Sequence, residues 1–216
     1  MNNKLLDIDF DASRCELTPV PHETAKRVVR DAHYTGKLGS TSVRLGLEMD
    51  GRIAGVICFG TIPGNNARAI CGPEYAPHVL ELTRLALYDW APSNSESWVI
   101  GQAFRWLTAN RPDISILISY ADASVGHVGT IYQATNWVYT GMSTGDVVWQ
   151  CEDGSVLHPR TTGWDKTKLP PGRFRPSPGK HRYVTFIGGP ALRRSTRRAL
   201  RWQSLPYPKK AGNGTA

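Results

Sequence analysis

Nowhere in the chain do about 18 apolar residues run together, so no membrane-spanning helix is expected. The N-terminus, MNNKLLDIDFDASR, has no apolar stretch of signal-peptide length. Both absences point to a soluble cytoplasmic protein without membrane attachment. Cysteine is sparse and scattered (Cys15, Cys58, Cys71, Cys151), with no C-x-x-C and no close histidine pair. That excludes a zinc ribbon or a disulfide framework and leaves buried, reduced thiols. Acidic residues almost vanish from the last quarter: residues 160–216 hold Asp165 alone against 14 Lys and Arg, net +13, whereas residues 1–159 are net −5. No internal repeat is visible.

What remains is a chain of 216 residues, 40% hydrophobic and 20% charged, enough for one substantial core and awkward to divide in two. A domain over residues 1–190 and a basic, flexible tail over 191–216 are expected. Arg173, Arg175, Lys180, Arg182, Arg193, Arg194, Arg197 and Arg198, with Arg201, can neutralise several phosphates, which makes nucleic acid the natural partner. Trp202 and Tyr207 among the arginines favour that over a solubilising tail or an acidic protein partner.

Along the chain, Glu16 to Val20 reads as a short strand, and His22 to His33 as a helix with Ala25, Val28, Val29 and Ala32 on one face. Arg44 to Met49 and Ile53 to Phe59 flank Asp50-Gly51, the dipeptide of a tight hairpin. Gly64 to Pro77 reads as a loop and Val79 to Leu87 as a strand. Ser93-Asn94-Ser95-Glu96 supplies caps for a helix to about Thr108. Ile114 to Tyr120 is a continuous apolar run, as in a central buried strand delivering Asp122 at its end. Gly126 to Ala134 suggests a short helix. Trp137 to Met142, Val147 to Gln150 and Arg182 to Phe186 suggest strands, the last after a Pro/Gly-rich loop. The expected fold is a single-domain α/β mixed sheet flanked by helices, in the element order of GNAT-type acyltransferases. In such sheets ligands lie beyond the carboxyl ends of central strands, near Asp122 and the residues after Leu87.

Several residues there can carry chemistry. His33 and Tyr34 at a helix end can exchange protons or contact a planar ring, or can simply cap and pack. Arg84 interrupts an apolar strand and needs an anionic or carbonyl partner, with Glu81 and Asp122 as structural alternatives. Ser97 in a helix's first turn can assist phosphate or oxyanion binding, or cap the helix. Asp122 can bind an amino group or accept its proton, and Tyr132 can donate to the same substrate. Each also has an ordinary role, an N-cap for Asp122 and a core aromatic for Tyr132. His127 reads equally well as a surface residue.

Taken together, HY at 33–34, ELTRL at 81–85, SNSESW at 93–98 and YADASVGHVGTIYQATNWVYTG at 120–141 resemble the Mom family of phage DNA-modification proteins, over about residues 30–186. KHRYVTF at 180–186 looks like the family's closing strand, while the arginine-rich stretch at 193–201 lies outside the resemblance. The resemblance implies a GNAT-like fold acting on double-stranded DNA in an infected bacterium's cytoplasm. It also implies conversion of adenine to its N6-carbamoylmethyl form, which protects phage DNA from host restriction, and a site made of His33, Tyr34, Arg84, Ser97, Asp122 and Tyr132. The alternatives are an N-acetyltransferase acting on a protein or small molecule, and a DNA-binding protein without catalysis.

The donor is not written in the sequence. Acetyl-CoA enzymes of this fold usually place a Gly-rich loop where this chain reads SNSESWVIGQAF, which argues against ordinary CoA binding. An activated glycyl donor such as an aminoacyl-tRNA would suit the product. Iron held by His33 and Asp122 is a competing idea that no ligand spacing demands.

Overall fold

Asp50 and Gly51 both adopt positive φ, 49° and 74°, the backbone that a two-residue hairpin matching strand twist requires. They join β2 (Val43–Met49) to β3 (Arg52–Gly60). The computed structural model describes residues 10–157 and 169–209. From this hairpin a seven-stranded sheet extends in both directions. β1 (Cys15–Pro19) pairs with β2, and β4 (Val79–Leu87) pairs with β3. Next come β5 (Ile116–Ala121), then β10 (His181–Phe186), then β6 (Val138–Met142) at the far edge. All neighbours are antiparallel except β4 and β5.

Three clusters explain the layers. Leu45, Leu47, Ile57, Leu80, Leu82 and Leu117 meet α3 (Ser95–Asn110) on one face, where Val99, Ile100, Ala103 and Leu107 recur at helical spacing and are fully buried. On the other face Ala25, Val28 and Val29 of α1 (His22–Ala32) cover Val56, Cys58 and Ala86. Farther along that face Ala67, Ile70 and Cys71 cover Val79, Ile116, Ile118 and Val184. Ala67, Ile70 and Cys71 belong to a helix, α2 (Gly64–Cys71), where the sequence reads as a loop. These apolar residues at i, i+3 and i+4 are buried and outweigh the poor helix propensity of Gly64, Asn65 and Asn66.

Other departures follow the same logic. The helix expected over Gly126 to Ala134 shrinks to a short α4 (Thr130–Ala134), preceded by a tight turn at Ala123–Val125, because Gly126 and Gly129 take positive φ of 76° and 74°. The strand expected at Val147 to Gln150, β7 (Asp146–Cys151), leaves the main sheet. It forms a second, three-stranded sheet with β8 (Val156–Leu157) and β9 (Gly172–Ser177). β9 lies in the Pro/Gly-rich stretch, and its Pro176 is tolerated because β9 is an edge strand.

Of the expected tail, residues 191–209 lie against the domain and 210–216 lie outside the described residues. Pro190–Arg198 is a helix, α5, whose Thr196 is buried. Ala199, Leu200 and Trp202 then join the α2-side cluster. The chain next crosses β6, with the Leu205 amide donating to Tyr139 O at 2.9 Å and the Tyr207 hydroxyl to Trp137 O at 2.7 Å.

Candidate active site

β4 and β5 pair over only three positions, ending at Glu81 and Ile118. Beyond them the parallel strands part, and a parting of parallel strands opens a cleft whose walls are strand backbone and the loops that follow. β4 also carries a bulge. Cys58 faces Arg84 and Phe59 faces Leu82, so Thr83 is the extra residue, and its hydroxyl donates to Cys58 O at 3.1 Å. The cleft measures about 800 Å³, and His33, Tyr34, Arg84, Ser97, Asp122 and Tyr132 all line it. Separate stretches of sequence thus converge where β4 and β5 diverge.

His33 follows α1 directly. The Thr35 amide donates to its Nδ1 at 3.2 Å, with the Thr35 hydroxyl 2.9 Å from the same atom. An accepting Nδ1 puts the proton on Nε2, so the ring enters the cleft as a neutral donor. Burial, then the charge of Arg84 and the neighbouring His127, lower its pKa to about 4. Tyr34 stacks on it, ring centres 4.5 Å apart and planes 27° from parallel, yet remains 58% exposed. Partial burial and the charge of Asp122 raise the Tyr34 pKa.

Arg84 is anchored by carbonyls. Its Nε donates to Lys37 O at 2.7 Å and its Nη1 to Thr83 O. Asp122, one of the carboxylates considered as its partner, lies instead against Lys180. The guanidinium is therefore oriented by neutral carbonyl groups and carries its charge toward the cleft. Ser97 lies in the first turn of α3, its exposed hydroxyl donating back to Asn94 O at 2.9 Å. Asn94 caps that helix in a left-handed conformation without a side-chain cap bond.

Asp122 has both of its expected roles within reach. Its Oδ1 accepts the Ser124 amide at 3.0 Å and the Ser124 hydroxyl at 2.6 Å, capping the turn. Its Oδ2 lies 3.4 Å from Lys180 Nζ, at the rim of the cleft. Burial acts to raise its pKa, but the Ser124 bonds and Lys180 outweigh it, and the net shift is downward. Tyr132 is buried. Ser119 has one hydroxyl proton, which Leu82 O receives at 2.9 Å, so the Tyr132 hydroxyl donates to Ser119 Oγ at 2.8 Å. Burial drives the Tyr132 pKa up to about 12, and Trp137 and Tyr183 pack around its ring. It belongs to the floor of the cleft.

The basic residues separate into groups. Arg193, Arg194, Arg197 and Arg198 are exposed on α5, and Arg173 is exposed on β9 beside half-buried Arg175. Arg182, expected at a nucleic-acid surface, is instead engaged inside. It donates to Thr140 Oγ1 and O at 3.0 and 2.8 Å, and its guanidinium lies 3.6 Å from the Trp202 ring centre. Lys180 and His127 at the cleft rim acquire their importance from pairing across the fold, for which linear sequence carries no signal.

Among the described residues no group of three or more His, Cys, Asp or Glu is placed to hold a metal. His33 Nδ1 is engaged by Thr35 and Asp122 Oδ1 by Ser124. None of the helices is long and apolar enough to cross a membrane, among the same residues.

Strand order and the parted β4 and β5 define a mixed α/β sheet flanked by helices, with its cleft at the carboxyl ends of the central strands. Solved structures similar to the chain include the IAA acetyltransferase of Bacillus cereus, 12% identical, covering 80% of this chain and 99% of that one, TM-score 0.49. Another is the ribosomal-protein-S18-alanine N-acetyltransferase of Escherichia coli, 10% identical, covering 81% and 95%, TM-score 0.47. The chain belongs to the Mom protein family, whose model matches residues 14–209. A relative, the methylcarbamoylase Mom of Escherichia phage Mu, is 26% identical over 196 residues, covering 86% of this chain and 80% of that protein.

Proposed function

We propose that the protein is a transferase that modifies adenine in double-stranded DNA, installing an N6-carbamoylmethyl group in the cytoplasm of a phage-infected bacterium and so protecting phage DNA from restriction. The observation that carries this reading is the convergence, in a single cleft of a Mom-family chain, of an exposed stacking ring, a carboxylate and a carbonyl-anchored guanidinium. A base inside a duplex cannot reach such a cleft, so the target nucleotide rotates out. Tyr34 stacks on it, and Asp122 accepts hydrogen bonds from the N6 amino group. Arg173 and the α5 arginines hold flanking phosphates.

Adenine N6 shares its lone pair with the ring and needs an activated partner. A glycyl ester supplies one, and an aminoacyl-tRNA is a donor of that class. N6 attacks the ester carbonyl, with Arg84 stabilising the oxyanion, joined by the Ser97 hydroxyl as it turns from Asn94 O, and with Asp122 receiving the N6 proton. His33, neutral and protonated on Nε2, serves as a hydrogen-bond donor to the acyl group or the base, and Tyr132 supports the cleft floor. Loss of the alcohol leaves a glycyl amide on N6. Its free amine adds to C6, giving a five-membered spiro ring. Cleavage of the old C6–N6 bond, with proton transfer to the departing nitrogen, makes that nitrogen the terminal amide and leaves glycine nitrogen on the purine. CoA suits the cleft poorly: the first turn of α3 presents Glu96 and no glycine where a pyrophosphate would sit.

Expression in bacteria followed by mass spectrometry of nucleosides from plasmid DNA tests the reading. Deoxyadenosine heavier by one carbamoylmethyl group is expected with the native chain and is expected to disappear with Asp122→Ala. Unmodified DNA from cells containing folded protein and an ample glycyl-tRNA pool refutes it.

A further inference from the structure

The cleft has two banks that belong to different parts of the chain. The connection after α1 supplies His33 and Tyr34, and the connection after β5 supplies Asp122. A base stacked on Tyr34 and read at its amino edge by Asp122 is positioned correctly only if the two banks keep a fixed separation. One ring contact spans them at the rim: His127 stands perpendicular to Tyr34, centres 5.3 Å apart.

His127 is hung from the Asp122 bank by short, well-defined links. Its amide donates to Asp122 O at 3.1 Å. The next residue, Val128, accepts on its carbonyl from the Tyr183 hydroxyl and from Gln133 Nε2 at 3.0 Å. Gly129 has φ of 74°, and a Cβ there would stand 2.4 Å from the Tyr183 ring, so the loop is pressed onto the core at that point. The imidazole itself is exposed and lines the cleft, so it contributes little to the fold's stability. A rigid loop presenting an exposed ring to the exposed stacking residue of the opposite bank has the geometry of a spacer.

We propose that His127 is a positioning residue: its ring, braced on the Asp122 loop, sets the plane of Tyr34 so that an extruded base meets Asp122 at its amino edge. This rests on the adenine-modification reading above. The role requires an aromatic ring and no proton transfer, which separates it from acid or base catalysis by imidazole.

The test compares His127→Ala, His127→Phe and Tyr34→Ala with the native chain. Modification of plasmid adenine in expressing bacteria is one readout. The other needs no donor: fluorescence lifetimes of a duplex carrying 2-aminopurine at the target position, where stacking on Tyr34 yields a strongly quenched component. His127→Ala is expected to lower modification about tenfold to a hundredfold, the cost of misplacing a reacting group by about 1 Å. It should also lose the quenched component while binding the duplex with native affinity and melting at the native temperature. Tyr34→Ala should likewise lose modification and the quenched component, and His127→Phe should restore both readouts. A His127→Phe variant as defective as His127→Ala overturns the proposal in favour of imidazole chemistry, and a His127→Ala variant equal to the native chain overturns it outright. If the native chain itself neither modifies DNA nor quenches the probe, the adenine reading fails and the spacer role falls with it.

Discussion

Replacing Asp122 by asparagine separates its two jobs. The Oδ1 atom that caps the turn accepts from the Ser124 amide and hydroxyl, and an asparagine carbonyl oxygen can take the same position and keep both bonds. What the fold loses is the pair with Lys180, 3.4 Å away and with the lysine half exposed, worth no more than about 1 kcal/mol after solvent screening. Chemistry loses more, because a neutral amide cannot accept the N6 proton. The loss of a positioned base is typically about a hundredfold to ten-thousandfold in rate, or roughly 3–5 kcal/mol of barrier. The Asp122→Asn protein should therefore melt close to the native temperature and bind DNA as well or better, yet modify at most about 1% of the adenine that the native chain modifies. Asp122→Ala should be equally inactive and additionally less stable by about 0.5–2 kcal/mol through loss of the cap. Thermal melts and nucleoside mass spectrometry on the three proteins measure both quantities. Asparagine activity within about threefold of native, below the range expected for any base, would refute the assignment.

Further outcomes follow from the same geometry. Tyr34→Ala should cost about 1–3 kcal/mol of base stacking, seen as a tenfold or greater fall in kcat/KM, while Tyr34→Phe retains most activity. His33 is held neutral, its pKa lowered to about 4, so the fold gains stability from this group above pH 6.5 and loses it as pH falls from 6.5 toward 4. Melting temperatures of native and His33→Asn proteins should therefore converge as the solution is acidified through that window, and a constant difference would contradict it. Arg182→Ala should lower stability by about 1–3 kcal/mol, from its bonds to Thr140 and its packing on Trp202. Its salt dependence of DNA binding should stay unchanged. Arg193→Ala or Arg197→Ala should do the reverse, reducing the salt slope by about one for each phosphate left without its arginine, as fluorescence anisotropy titrations would show.

Much of the sheet is legible in the sequence because its signals are local. Asp50-Gly51 announces the hairpin, and the unbroken run from Ile114 to Tyr120 announces the central strand. α2 is not legible, because Gly64, Asn65 and Asn66 give loop signals and its burial is conferred by β4, β5 and β10. β9 is hidden by Pro176, acceptable only at a sheet edge, a property of topology. In the site, residue types at 33, 34, 84, 97, 122 and 132 are readable from motif, but their burial is not. Tyr132 resembles Tyr34 in sequence terms, whereas one supports the floor through Ser119 and the other stands exposed at the rim. Lys180 and Arg182, two residues apart at one strand end, diverge completely, the first meeting Asp122 and the second turning onto Trp202.

The central claim, adenine modified through glycyl transfer, is tested most directly by feeding expressing bacteria glycine labelled at nitrogen and analysing the modified deoxyadenosine before and after hydrolysis of its terminal amide. The account predicts one labelled nitrogen more in the modified nucleoside than in the unmodified deoxyadenosine of the same cells, which glycine also labels through purine biosynthesis, and predicts that this excess remains with the purine after the amide nitrogen is removed. A modified adenine without the excess label, or no modified adenine at all, would contradict it.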